Sequence, residues 1–182
     1  MVNMYKQELT NLQQDILALL CLKAGTSLNQ NRISKILEVS PPAVAKSLPF
    51  LEKKNYIKIN KDKLSGRQEI LLNREDKKNI QLKRILNVGI IYKSGLAEFL
   101  EENFPGCTII LFGSYSRGED TEKSDIDIAI IGSKKKEINL TKFDKILERK
   151  VFLHFYNSLK ELDNELKENI CNGIVLVGGI GL

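Results

Sequence analysis

Tryptophan is absent from this chain, histidine occurs once, as His154, and cysteine occurs three times at wide spacing. A single histidine excludes acid–base schemes that need two. Cys21, Cys107 and Cys171 are odd in number and no two stand at metal-ligand spacing, which argues against a disulfide framework and a zinc set. They read as reduced, mostly buried thiols. The unbroken apolar run of roughly 20 residues that a membrane helix needs is also missing. Residues 1–9 are too polar for the apolar core of a signal peptide, so the expectation is a cytoplasmic protein with no membrane partner.

What is present is ordinary in bulk and uneven in distribution. Hydrophobic residues make up 42% and charged residues 28% of 182 positions, enough for one domain or two small ones with modest cores. The net charge of +5 is not shared evenly. Residues 1–78 hold 14 Lys and Arg against 8 Asp and Glu, whereas residues 79–182 hold 14 against 15. The basic excess therefore lies in the N-terminal part, where a polyanion would be attracted.

The N-terminal part reads as three helices and a hairpin. Positions 10–24 repeat Leu12, Ile16, Leu19 and Leu20 at helical spacing, open on a Thr10/Gln13 capping-box pair and stop at Gly25. A shorter helix covers 29–37, with Ile33, Ile36 and Leu37 on one face. Ser40-Pro41-Pro42 opens a third helix to about Lys54, which Pro49 should bend or break. Residues 56–59 and 68–72 alternate as strands around the polar turn 61–67. Residues 10–72 resemble a winged helix-turn-helix in element order and lengths. That resemblance implies nucleic-acid contacts from Lys46, Lys53 and Lys54 of the third helix and from Lys58, Lys61, Lys63 and Arg67 of the hairpin. Keeping a turn soluble, or docking a protein, are the competing readings of the same lysines.

Residues 76–92 form a connecting helix with Ile80, Leu82, Ile85, Leu86 and Ile90 as its apolar positions, and 94–103 a further helix. Strands are expected at 108–112, 124–131 and 151–156, helices at 140–149 and 159–170, and an apolar segment at 173–177. The division is 1–75, a connector at 76–93, and 94–182.

The richest stretch is 108–131. An apolar run ends in Gly113-Ser114, a polar connection follows, and Asp125-Ile126-Asp127 opens the next apolar strand. Residues two apart on a strand share a face, so the two aspartates would stand side by side, opposite Ile126, Ile128 and Ile130. Adjacent carboxylates repel, and a hard divalent cation such as Mg²⁺ stabilises both as anions. Gly113 allows close backbone approach to a ligand, and Ser114 supplies a hydroxyl and an N–H, a phosphate-binding arrangement.

Phe112-Gly113-Ser114, Arg117-Gly118 and Ser124-Asp125-Ile126-Asp127, at this spacing, resemble the minimal nucleotidyltransferases of the DNA polymerase β-like superfamily over roughly residues 94–177. The resemblance implies an α+β chain of two domains, the second an α/β nucleotidyltransferase fold with a small mixed sheet. It further implies transfer of a nucleoside monophosphate from a nucleoside triphosphate to an acceptor. Gly113, Ser114, Arg117 and Ser124 would bind the nucleotide, and Asp125 and Asp127 would be catalytic and hold two Mg²⁺ ions. Active members carry a third carboxylate on a following strand, and residues 150–156 contain none. His154 lies on that strand, where a packed core histidine is the commoner reading.

Two functions follow. One is a Mg²⁺-dependent nucleotidyltransferase acting on a nucleic-acid or protein acceptor, with a DNA-binding or docking winged helix. Small members often act as antitoxins, which makes a partner toxin one candidate acceptor. The other is a DNA-binding transcriptional regulator whose degenerate domain only binds nucleotide. A homodimer through the N-terminal domain is expected in either case.

Overall fold

The computed structural model describes residues 9–61 and 68–180. Backbone contacts divide the chain into two units, Met1–Asn79 and Ile80–Leu182.

In the first unit α1 (Asn11–Leu22) begins at Thr10, whose hydroxyl accepts from the Gln13 amide while the Gln13 side chain accepts from the Thr10 amide. This capping box satisfies two of the helix's free amides. α2 (Gln30–Ile36) is capped by Asn29, and α3 (Pro41–Lys53) by Ser40 with proline in the first turn. The helix continues through Pro49 without a break. A proline so placed forfeits one backbone bond, and buried Val44, Leu48 and Leu51 hold the helix on the core regardless. β1 (Ile57–Lys61) pairs antiparallel with β2 (Gln68–Leu72), and Leu28 adds a bridge to Ile70 with both backbone bonds at 2.8 Å. Three helices followed by a hairpin, with Leu28 bridged to its second strand, is a winged helix-turn-helix. Its core is Ile16, Leu20, Leu28, Ile33, Val44, Leu51, Ile57 and Ile70.

The second unit is built on a four-stranded mixed sheet. β3 (Thr108–Phe112), β4 (Ile126–Ile131), β5 (Val151–Tyr156) and β6 (Ile174–Val177) lie in the order β5-β4-β3-β6. Only the β4–β5 pair is parallel. One face packs Ile109, Leu111, Ile126, Ile128 and Ile130 against Ile91 and the helices α5 (Leu96–Asn103) and α7 (Thr141–Leu147). The other face carries Ile110, Phe112 and Ala129 against Ile170 of α8 (Asn164–Cys171).

Several expectations need correction. The helix expected at 159–170 is two pieces, a single 3-10 turn at Leu159–Glu161 and then α8. Asp163 starts α8 afresh by accepting from the Leu166 amide, which interrupts any helix running in from Leu159. Cys21 is buried, but Cys107 is half-buried and Cys171 exposed, all three as free thiols. The connecting helix α4 (Lys77–Lys93) only half-buries Ile80, Leu82, Leu86 and Ile90 of the apolar row read from its sequence. Asn79, Lys83 and Asn87 are buried with Ile91, while Ile85 is 67% exposed. Hydrophobic periodicity cannot register a buried anion that needs donors from the same helix face.

Candidate functional site

β3 delivers the chain to the site. Phe112 is extended, Gly113 turns at φ +74°, and α6 (Gly113–Arg117) follows at once. The Gly113 conformation is one that L side chains rarely adopt. A Cβ there would also stand 3.1 Å from Asp127 Oδ2. Phe112 pairs with Asp127 across the β3–β4 ladder, so the glycine turn and this carboxylate are in contact.

At the far end of α6, Gly118 takes φ +75°. A Cβ on it would run into the Ile80 carbonyl oxygen and lie 2.8 Å from the Arg84 amide nitrogen. The second glycine of the motif is thus required by the close passage of α4.

Asp127 lies on β4, on the face of Ala129 and Phe112, and is half-buried. Its Oδ1 stands 3.0 Å from His154 Nε2 of β5. Phe112 packs edge-on against the same imidazole, with ring centroids 5.3 Å apart. The histidine is therefore not a packed core residue. It is a half-exposed group facing the carboxylate, on the strand where the resemblance implied a third acid.

Asp125 stands one residue before β4 rather than within it, and is exposed. The strand begins at Ile126 because its parallel partner begins at Val151, so Asp125 has no ladder pairing. The two aspartates share the strand's entrance but not its regular geometry. Beside Asp125, a groove of about 460 Å³ is lined by residues that include Lys123, Thr141, Lys145 and Lys150.

Ser124 works within its own loop, its hydroxyl accepting from the Thr121 amide at 2.9 Å. Arg117 reaches Glu119 at 2.8 Å and Asn169 Oδ1 of α8 at 3.0 Å. Ser114, Gly113, Asp125 and Asp127 are brought to one end of the sheet, with Arg117 and Ser124 flanking. In the first unit Lys46, Lys53, Lys54 and Lys61 are exposed, and Lys58 pairs with Glu75 at 2.5 Å. Lys63 and Arg67 lie outside the described residues.

Sequence reasoning missed the layer beneath the loop: Lys83, Asn87, Tyr115, Asp120 and Arg149, all buried. Burial pushes the Tyr115 hydroxyl up to about 12, the charge of Asp120 adds to the shift, and that of Arg149 opposes it. The available signal was the i, i+4 placement of Lys83 and Asn87 on a helix with an otherwise apolar row.

Among the described residues, no set of three or more His, Cys, Asp or Glu side chains is placed to hold a metal ion together. Two carboxylates, one on each side of Ile126, suit a small hard cation such as Mg²⁺. Such an ion is commonly bound through one or two carboxylates, with water and substrate phosphate completing its shell. No helix among the described residues is long and apolar enough to cross a membrane.

Residues 93–177 match the family described as "Nucleotidyltransferase domain". Among curated proteins, "Putative protein adenylyltransferase MJ1379" of Methanocaldococcus jannaschii is 38% identical over 78 residues, which is 43% of this chain and 74% of that protein. "Putative protein adenylyltransferase MJ0604" of the same organism is 75% identical over 24 residues, covering 13% of this chain and 24% of that one. The chain thus spans about a quarter of one relative's length and about three quarters of the other's. It belongs to the nucleotidyltransferase domain family.

Among solved structures, MepR, a transcription regulator of the Staphylococcus aureus multidrug efflux pump MepA, is 26% identical at a TM-score of 0.39, covering 54% of this chain and 68% of that one. The adhesin competence repressor of Streptococcus pyogenes is 23% identical at a TM-score of 0.42, covering 57% and 72%. At scores this low these likenesses carry no weight for binding.

Proposed function

We propose that the chain transfers a nucleoside monophosphate, in the first instance adenylate from ATP, to a hydroxyl of a protein acceptor. The observation that carries this reading is the placement of the Gly113 turn beside Asp127, where a Cβ on residue 113 would stand 3.1 Å from Oδ2, so that the turn opening α6 and a carboxylate lie side by side. The names of the two M. jannaschii relatives support adenylate as the group transferred and protein as the acceptor. In that transfer the acceptor oxygen bonds the α-phosphorus and loses its proton, and pyrophosphate leaves.

In this reading Gly113 and Ser114 cradle the triphosphate, since a glycine turn opening a helix lets amides approach phosphate oxygens. Arg117, half-exposed at the end of α6, adds charge by exchanging Glu119 for phosphate. Ser124 keeps the loop closed beside the nucleotide. Asp125 and Asp127 hold Mg²⁺, which when bound neutralises phosphoryl oxygens and favours the deprotonated acceptor hydroxyl. Lys46, Lys53, Lys54, Lys58 and Lys61 give the first unit a basic face suited to DNA or an acidic partner.

A second reading, a nucleotide-sensing regulator without turnover, is favoured by one observation. The β5 side chain facing Asp127 is His154 rather than an acid.

One experiment separates the two. The protein is incubated with Mg²⁺ and each labelled triphosphate, with protein and RNA acceptors, alongside Asp125→Ala/Asp127→Ala. Label transfer that the double variant loses supports the enzyme. Saturable nucleotide binding with neither transfer nor pyrophosphate release supports the sensor.

A further inference from the structure

Asp120 is fully buried, and three side chains converge on it. Lys83 Nζ lies 2.7 Å from its Oδ2, Arg149 Nη2 3.3 Å from the same oxygen, and Asn87 Nδ2 donates to Oδ1 at 2.8 Å. Lys83 is itself 0% exposed and Arg149 9%. Two cations and one anion are thus held out of water, an arrangement that rarely stabilises a fold more than apolar packing would. Its geometry suggests what it does instead.

Arg149 Nη1 donates to the carbonyls of Thr121 and Ser124, the second at 3.1 Å. The next residue, Lys150, accepts from the Ile126 amide at 2.8 Å. The carbonyl before Asp125 and the amide after it are therefore tied to two consecutive residues of the α7–β5 connection. Asp125 has no strand pairing of its own, so these two bonds fix its backbone. Arg149 is held in turn by Asp120, and Asp120 by Lys83 and Asn87 of α4. Asn87 also donates to the Tyr115 carbonyl at 2.9 Å, tying α6 into the same set.

We propose that Arg149, braced by Asp120, Lys83 and Asn87, is the positioning residue for Asp125 and sets the affinity of the Asp125–Asp127 pair for a divalent cation. The cation part rests on the reading of that pair given under the proposed function. A bidentate guanidinium is suited to this task because its planar fork bonds two carbonyls and a carboxylate at once, which a lysine ammonium on a flexible stem cannot reproduce.

The test compares wild type, Arg149→Lys and Asp125→Asn by melting temperature, amide hydrogen exchange at residues 124–126, and Mn²⁺ binding followed by electron paramagnetic resonance. Arg149→Lys keeps the charge beside Asp120, so it is expected to lose only a few degrees in Tm. Its exchange at 124–126 should rise at least tenfold, and its Mn²⁺ affinity should fall about tenfold. In any transfer assay kcat should fall while KM for the triphosphate holds. Where Asp125→Asn weakens Mn²⁺ binding, a folded Arg149→Lys with unchanged exchange or unchanged Mn²⁺ affinity overturns the proposal. If wild type and Asp125→Asn bind Mn²⁺ alike, the metal reading falls. In that case faster exchange in Arg149→Lys still upholds the positioning of Asp125, and unchanged exchange overturns it. Should Arg149→Lys unfold, Lys83→Met/Asp120→Leu removes the buried lysine–aspartate pair at similar volume, takes the carboxylate brace from Arg149, and is judged by the same two readouts.

Discussion

His154 Nε2 and Asp127 Oδ1 meet at 3.0 Å across two parallel strands, on the face of the sheet that the Gly113 turn overlooks. Both side chains are more than a third exposed, so the contact contributes little to stability. His154→Asp would set a third carboxylate there. Like charges so close destabilise the metal-free protein and are relieved by a cation. The expected result is a lower Tm in chelator, a Tm restored by Mn²⁺, and Mn²⁺ binding at least tenfold tighter by calorimetry.

Gly113→Ala brings a methyl to 3.1 Å from Asp127 Oδ2 and forces an L residue to φ +74°. The conformational part costs about 1–2 kcal/mol. The carboxylate must also shift, so binding should suffer more than folding. Denaturant titration should show a stability loss in that range, while triphosphate binding with Mn²⁺ falls at least tenfold.

Gly118→Ala should behave in the opposite proportion. Its methyl would meet main-chain atoms of Ile80 and Arg84 rather than a movable side chain, in a residue already at φ +75°. A loss of about 3 kcal/mol or more is expected. A variant with wild-type Tm would refute the close passage of α4.

Tyr115 gives a pH prediction. Its folded value of about 12 lies above the ordinary 10, so the folded protein holds this proton where the unfolded chain releases it. Stability is unaffected below about pH 10 and falls between 10 and 12. The loss reaches on the order of 2–3 kcal/mol for a shift of this size. Burial and the charges of Asp163 and Asp127 raise Tyr156 as well. Near-ultraviolet titration should therefore show a late tyrosinate step that Tyr115→Phe removes and a further delayed one that it leaves in place.

Much of the architecture was legible in the sequence because it is carried by local signals. Thr10 with Gln13, Ser40 before Pro41-Pro42, and the Ile126, Ile128, Ile130 alternation each state an element in a few residues. The glycine turn and paired aspartates were legible as a spacing. Asp125's departure from the strand was not, because β4 starts where Val151 begins to pair with it, and register is set by the partner strand. The environment of His154 was hidden for the same reason, since Ala129 pairs with it and brings Asp127 alongside. The layer under the loop was least legible of all. A lysine in a helix reads as solvated until the buried aspartate it serves is known, and here that aspartate is 37 residues away.

That separation bears on how the site comes into being. Every motif residue lies within 112–127, yet the donors that hold Asp120 come from α4 on one side and from Arg149 on the other. A fragment beginning at residue 94 would retain the whole signature and lack both Lys83 and Asn87, leaving the Asp120 carboxylate with one of its three partners. The loop's order therefore depends on contacts distant in sequence. The shortest piece able to form it starts no later than Ile80, where the second unit itself begins.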